Sequence, residues 1–197
     1  MNPIATITMQ NGKKIVIELL PDIAYNEVAS FIWAAEHGYY DNHTIERIVP
    51  GSWIDMSYRA FGHEECKYFL PNRLRERDNL KTPALGDLCL GYYSDADISG
   101  TEYFFPLKTC DHLINNCPVI GRVLEGMDEI LRIAAVPVRP VKYDPDLGVE
   151  INVPLEPEII SKVTIDAKGV TYPEPEKLPN ITFPPSWGTI TEVPATK

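Results

Sequence analysis

The feature that most constrains this chain is a hairpin written near its start. Ile4–Met9 and Lys14–Leu20 are alternating, β-branched runs joined by Gln10-Asn11-Gly12. Asn-Gly accepts the positive φ angles of a tight turn whose twist matches its flanking strands, so the two runs read as an antiparallel pair. Pro21-Asp22 ends the second run. Short strand-like segments then recur: Thr44–Val49 and Trp53–Ser57 around the bend at Pro50-Gly51, then Gly86–Leu90, Thr101–Phe105, Val119–Val123 and Glu158–Ile165. About eight short strands at this spacing predict a mainly β protein, a closed antiparallel barrel.

Two helices interrupt the strands. Over Tyr25–His37, Val28, Phe31, Ile32 and Ala35 recur at i, i+3, i+4 and i+7, and Gly38 is a stop signal. Over Glu125–Ala135 the expected apolar face is Met127, Ile130, Leu131 and Ala134. The order of elements places these helices as caps on the barrel. Residues 58–85 have no clean period and read mostly as loop with a helical turn near Arg73; Ser94–Gly100 reads as a polar loop. Of 18 prolines, 11 lie after residue 136, so Val138–Leu155 is expected to be loop. From Tyr172 onward, closely spaced prolines predict an extended tail that is ordered only if it packs on something.

Composition excludes several classes of function. Lys and Arg total 18 against 28 Asp and Glu, a net charge of −10 that repels nucleic-acid phosphates. The basic cluster Arg73-Leu-Arg-Glu-Arg77 is short and interrupted by acid, as expected of a solvated face. No apolar run is long enough to span a bilayer, and the N-terminus lacks the basic-then-apolar pattern of an export signal, which favours the cytoplasm. Cys66, Cys89, Cys110 and Cys117 include no CxxC pair, so reduced thiols are expected and neither a disulfide scaffold nor a zinc site is predicted.

Five segments, in order, resemble the cyclophilin family of peptidyl-prolyl isomerases. They are Phe31-Ile-Trp-Ala-Ala-Glu-His-Gly-Tyr-Tyr-Asp-Asn42, Arg47-Ile-Val-Pro-Gly51, Gly100-Thr-Glu-Tyr-Phe-Phe105, Gly121-Arg-Val-Leu-Glu-Gly-Met-Asp-Glu-Ile130, and Pro157–Ile165 with Tyr172–Leu178. The last of these is similar to the end of a bacterial subgroup. The resemblance implies an eight-stranded barrel capped by two helices over residues 1–168, with a proline-rich C-terminal extension over 169–197. It implies isomerisation of Xaa-Pro bonds in peptides or folding chains, with no cofactor and no metal.

Residue by residue, Arg47 matches the family's catalytic arginine, Phe104 an aromatic of the proline pocket and Leu113 another apolar pocket residue. Gly91 falls near a position whose backbone binds the peptide. Other positions depart from the pattern. Ser52 stands for a pocket phenylalanine and Trp53 for a methionine; Asp55 and Glu102 replace two glutamines; Cys117 replaces a histidine, and His112 lies near the usual tryptophan. The glycine-rich loop after the arginine strand becomes Tyr58–Cys66. Two carboxylates beside Arg47 are expected to pair with it. The residues therefore leave three alternatives: an active isomerase centred on Arg47; a module that binds prolyl peptides, with basic flanks favoured by the added negative charge; or self-recognition, in which the proline-rich tail of one copy docks in the groove of another. Without the tryptophan and histidine, cyclosporin is expected to bind weakly.

Overall fold

In a computed structural model, residues 1–58, 62–93, 97–144, 149–179, 181–183 and 191–192 are described. The chain order is β1 (Ile4–Met9), β2 (Lys14–Leu19), α1 (Tyr25–Glu36), β3 (His43–Thr44), β4 (Arg47–Val49), β5 (Trp53–Asp55), β6 (Phe69–Leu70), β7 (Asp87–Tyr92), β8 (Ile98–Pro106), β9 (Val119–Glu125), α2 (Met127–Ala134), β10 (Val138–Asp144), β11 (Val149–Pro154), β12 (Ile159–Asp166) and β13 (Thr191–Glu192). The mainly β class with two helices is as expected.

The main sheet is antiparallel and runs β3-β12-β1-β2-β9-β7-β8-β5-β4, with β6 also on β8. Its end strands, β3 and β4, are two pieces of one stretch of chain, broken at Ile45-Glu46. That makes ten strands rather than the expected eight, because the two-residue pieces β3 and β6 also join the ladder.

The β1–β2 hairpin forms as read, with Gly12 at φ 82° and Ile4 opposite Glu18. Its alternation puts Ala5, Ile7, Ile15 and Ile17 in the core. α1 buries Val28, Phe31, Ile32 and Ala35 against the sheet, and Gly38 at φ 73° follows its end. Phe31, Tyr40 and Tyr103 meet at centroid distances of 4.9–5.3 Å, and the Tyr40 hydroxyl donates to the Thr101 carbonyl at 2.9 Å.

Three expectations need correction. Val138–Leu155 is not loop: β10 and β11 pair there in a separate three-stranded sheet, with a register shift between Pro140 and Lys142. Proline is tolerated at such irregularities, so its density did not forbid a strand. The tail also contains regular structure, since β13 pairs with β10, while Pro184 and Pro185 lie outside the described residues. In α2 the buried residues are Ile130, Ile133 and Glu129, and Leu131 is exposed. Glu129 is buried because Arg132 and Asn11 satisfy its carboxylate. The helix starts at Gly126, whose φ of 87° and close approach to the Lys14 carbonyl leave no room for a side chain.

The described part of residues 58–85 includes the short 3₁₀ turns Glu64–Cys66 and Leu74–Glu76 and the strand β6. Positions 59–61 and 94–96, parts of the two expected loops, lie outside the described residues. No helix among the described residues is long and apolar enough to cross a membrane.

The stretch after β12 packs on the domain. Asn26 and Glu176 exchange hydrogen bonds of 3.0 and 2.7 Å. Arg73 pairs with Glu176 at 2.7 Å. The Lys177 ammonium lies over Trp33 and Tyr68, 4.6 and 4.4 Å from the ring centroids. The Leu178 amide donates to the Phe69 carbonyl at 2.8 Å.

Candidate active site

Strand register explains how residues distant in sequence come together. Arg47 of β4 lies opposite Asp55 of β5, Asp55 opposite Phe104 of β8, and Phe104 opposite Cys89 of β7. Directly opposed residues share one face of a sheet, so this row forms one surface. β8 is buried along its whole length and serves two faces. Tyr103 and Phe105 enter the main core, whereas Phe104 joins a second cluster with Cys89, Cys110, Leu113, Cys117 and Val119.

Above that second cluster opens a cavity of about 500 Å³. Arg47, Trp53, Asp55, Gly91, Glu102, Phe104, His112, Leu113 and Cys117 line it. The structure thus gathers nine of the ten residues singled out in the sequence. Ser52 is not a lining residue. It sits in the β4–β5 turn, where its amide donates to Val49 and its hydroxyl accepts from Lys108 at 3.1 Å. Trp53 occupies the wall instead, edge-on to Phe104 with centroids 6.5 Å apart. Gly91 sits where the β7–β8 register shifts between Leu90 and Tyr92, a bulge at the cavity rim. The turn Asp111–Leu113, continued by the bond from the Cys117 amide to the Leu113 carbonyl at 2.8 Å, presents His112, Leu113 and Cys117.

Arg47 is held on several sides. Its Nη1 donates to Asp55 Oδ2 at 2.6 Å, and both side chains are mostly buried. Its guanidinium carbon lies 5.8 Å from the Trp53 ring and 5.5 Å from the Tyr58 ring. Burial pushes the Asp55 carboxyl above its ordinary value, and the Arg47 charge with hydrogen bonds from Arg47 and Trp53 pulls it back. The second carboxylate, Glu102, accepts a 2.5 Å hydrogen bond from the Tyr93 hydroxyl. Burial raises the Tyr93 phenol well above its usual range, reinforced by the Glu102 charge. Burial also raises the thiols of Cys89 and Cys117, so both behave as neutral apolar groups, Cys117 in the lining and Cys89 in the cluster packed with Phe104. Among the described residues no group of three or more His, Cys, Asp or Glu side chains is placed to hold a metal.

Sequence reasoning missed Ser57, Tyr58, Tyr92, Tyr93 and Tyr103, which also line the cavity. The available signal was the aromatic pair next to Gly91 in Gly91-Tyr-Tyr93.

A curled antiparallel sheet capped by two helices, with an arginine beside an apolar cavity on one face, defines a cyclophilin-like fold. Solved structures agree. A Cryptosporidium parvum cyclophilin type peptidyl-prolyl cis-trans isomerase, crystallised in the presence of the dipeptide Ala-Pro, superposes with a TM-score of 0.64 at 18% identity, covering 83% of this chain and 98% of that one. The family model for "Cyclophilin type peptidyl-prolyl cis-trans isomerase/CLD" matches residues 4–161, and the chain belongs to that family. Peptidyl-prolyl cis-trans isomerase B of Bacillus subtilis is 27% identical over 120 residues, 61% of this chain and 82% of that protein. Peptidyl-prolyl cis-trans isomerase-like 2 of Cryptococcus neoformans is 30% identical over 141 residues, covering 69% of this chain but only 24% of that longer protein.

Proposed function

We propose that this chain isomerises Xaa-Pro bonds in peptides or folding proteins, with Arg47 acting on the prolyl nitrogen. The observation that carries the reading is the position of the Arg47 guanidinium at the wall of a cavity whose other lining includes Trp53, Phe104 and Leu113. Amide resonance gives the Xaa-Pro bond a rotational barrier of ~18–20 kcal/mol. The apolar wall takes the proline ring. A guanidinium N–H donated to the ring nitrogen favours its pyramidal form, which has lost conjugation with the carbonyl. Rotation about C–N then meets less double-bond character, and no covalent intermediate is needed. Because the nitrogen is a good acceptor only when twisted, the bond forms mainly in the transition state and so raises the rate rather than the affinity. Asp55, Trp53 and Tyr58 hold the guanidinium in place before substrate arrives.

The test is exchange NMR on a set of Xaa-Pro peptides. Arg47→Ala is expected to lower kcat/KM by about 100-fold, the scale seen when one transition-state donor is removed, with peptide affinity nearly kept. Wild-type protein that leaves the uncatalysed rate unchanged would falsify the proposal. The Arg47–Asp55 ion pair favours a second reading, a module that binds prolyl peptides without turning them over. Titration that saturates while exchange stays at the uncatalysed rate identifies it.

The reading includes residues 1–168 as the isomerase unit and 169–197 as its extension. A reducing, cytoplasmic setting is supported by four cysteines, all buried and unbridged. Cyclosporin is expected to bind weakly, since His112 and Cys117 differ from the family pattern. A bacterial source is consistent with the similarity to the Bacillus protein.

A further inference from the structure

The rim of the cavity on the β7 side carries a ring to which the proposed chemistry gives no task. β7 runs from the apolar floor at Cys89 through the bulge at Gly91 and ends at Tyr92. Tyr92 lines the cavity and is 43% exposed. Leu90, before the bulge, is wholly buried in the main core, and Tyr93 is buried against Phe69, so Tyr92 is the ring that this end of β7 leaves in water. Other large apolar side chains exposed among the described residues, such as Tyr25, Leu124 and Leu131, do not border the cavity. Cys89 closes the row Arg47, Asp55, Phe104, Cys89 that crosses four strands. Three residues further along β7, at about 3.3 Å each, put Tyr92 about 10 Å from that row.

We propose that Tyr92 is a specificity-determining residue of this site: it selects prolyl peptides that carry an aromatic side chain within two residues of the proline. The inference rests on the isomerase reading for the placement of the prolyl ring on Phe104 and Leu113. An extended peptide advances about 3.3–3.6 Å per residue, so a side chain one or two residues from that ring reaches the β7 rim. There a flat ring stands partly in water. A second ring laid against it removes apolar surface of both from water, and the pair gains further from edge-to-face or offset contact. Tyrosine has few rotatable bonds, so it loses little freedom when it is covered. An acidic or short side chain at the same place covers little of the ring. A lysine there would be held by charge, and charge at an exposed rim is screened by salt.

The test is a peptide series in which each of the two positions on either side of the proline is in turn Ala, Phe, Glu or Lys, followed by exchange NMR at physiological salt. At one of these positions Phe is expected to raise kcat/KM about fivefold over Ala and over Lys, the scale of one aromatic pair. In Tyr92→Ala the Phe-to-Ala ratio is expected to fall to about one. In Tyr92→Phe, which keeps the ring, it is expected to stay at about fivefold. The ratio compares two substrates of the same variant, so a general loss of activity does not imitate the effect. A wild-type series without an aromatic preference, a preference for Lys over Phe, or a Phe-to-Ala ratio that survives in Tyr92→Ala overturns the role of Tyr92. If the wild type leaves every peptide at the uncatalysed rate, the isomerase reading fails instead, and Kd values from titration of the same peptides decide the role of Tyr92. A Phe preference in Kd that is lost in Tyr92→Ala and kept in Tyr92→Phe supports it; equal Kd values, or no binding, overturn it.

Discussion

The two faces of the sheet around β8 are built from opposite materials. On one face, Phe31, Tyr40, Tyr103 and Phe105 interlock beneath α1 in a core that excludes water, with the Tyr40 hydroxyl satisfied by the Thr101 carbonyl. On the other, Phe104, Cys89 and Cys117 form a thin apolar floor beneath Arg47, Asp55 and Glu102. The first face draws its stability from area removed from water, about 25 cal/mol per Å². The second holds the Arg47–Asp55 ion pair at partial burial, which stabilises a fold little but orients a cation for work. One strand separates stability from function because successive side chains of β8 point to opposite sides.

The comparison is broken most severely at Phe31. Phe31→Ala is expected to cost about 3–5 kcal/mol of stability through lost contacts and a residual cavity, measured by urea unfolding, while KM per folded molecule stays at the wild-type value. A KM change would show that the faces are not separate.

A smaller effect sharpens it through pH. Burial lowers the His43 imidazole from 6.5 to about 4, with His63 contributing. A folded-state value below the unfolded one means that the unfolded chain binds more protons between these limits. Stability is therefore full above about 6.5 and is lost as pH falls toward 4. The loss is at most about 3 kcal/mol from the shift, at 1.36 kcal/mol per unit. Unfolding midpoints followed from pH 7 to pH 4 are expected to drop in the wild type and to stay flatter in His43→Phe.

The smallest expected effect lies where the two faces meet. A Cβ at Gly100 would overlap the Tyr68 ring, whose hydroxyl is 2.7 Å from Ser30 and whose face carries Lys177. Gly100→Ala is expected to cost about 2 kcal/mol by overpacking, read as a lower Tm. An unshifted Tm would mean that Tyr68 yields easily and does not anchor the extension.

Much of the stable face was legible in advance. The Asn11-Gly12 hairpin and the stripe Val28, Phe31, Ile32, Ala35 follow from local turn chemistry and periodicity, and both form as read. The site was legible only in part. Arg47 and Asp55 were recognisable as a pair, and the register sets them opposite each other. Tyr93 was not recognisable as a partner of Glu102, because nothing local to either residue encodes it. The stripe of α2 was misjudged at Leu131, and the strands β10 and β11 were hidden by prolines.

The sequence by itself determined the hairpin, the core face of the first helix, the family and the arginine to examine, since each is carried by short-range pattern or by local motif. The tertiary structure decided that Asp55 meets Arg47 across paired strands, which side of the wholly buried β8 faces the cavity, and that Phe69 stacks on Tyr93. Those are contacts between residues far apart in the chain. They are fixed by strand register and by packing in three dimensions, which local propensity does not specify.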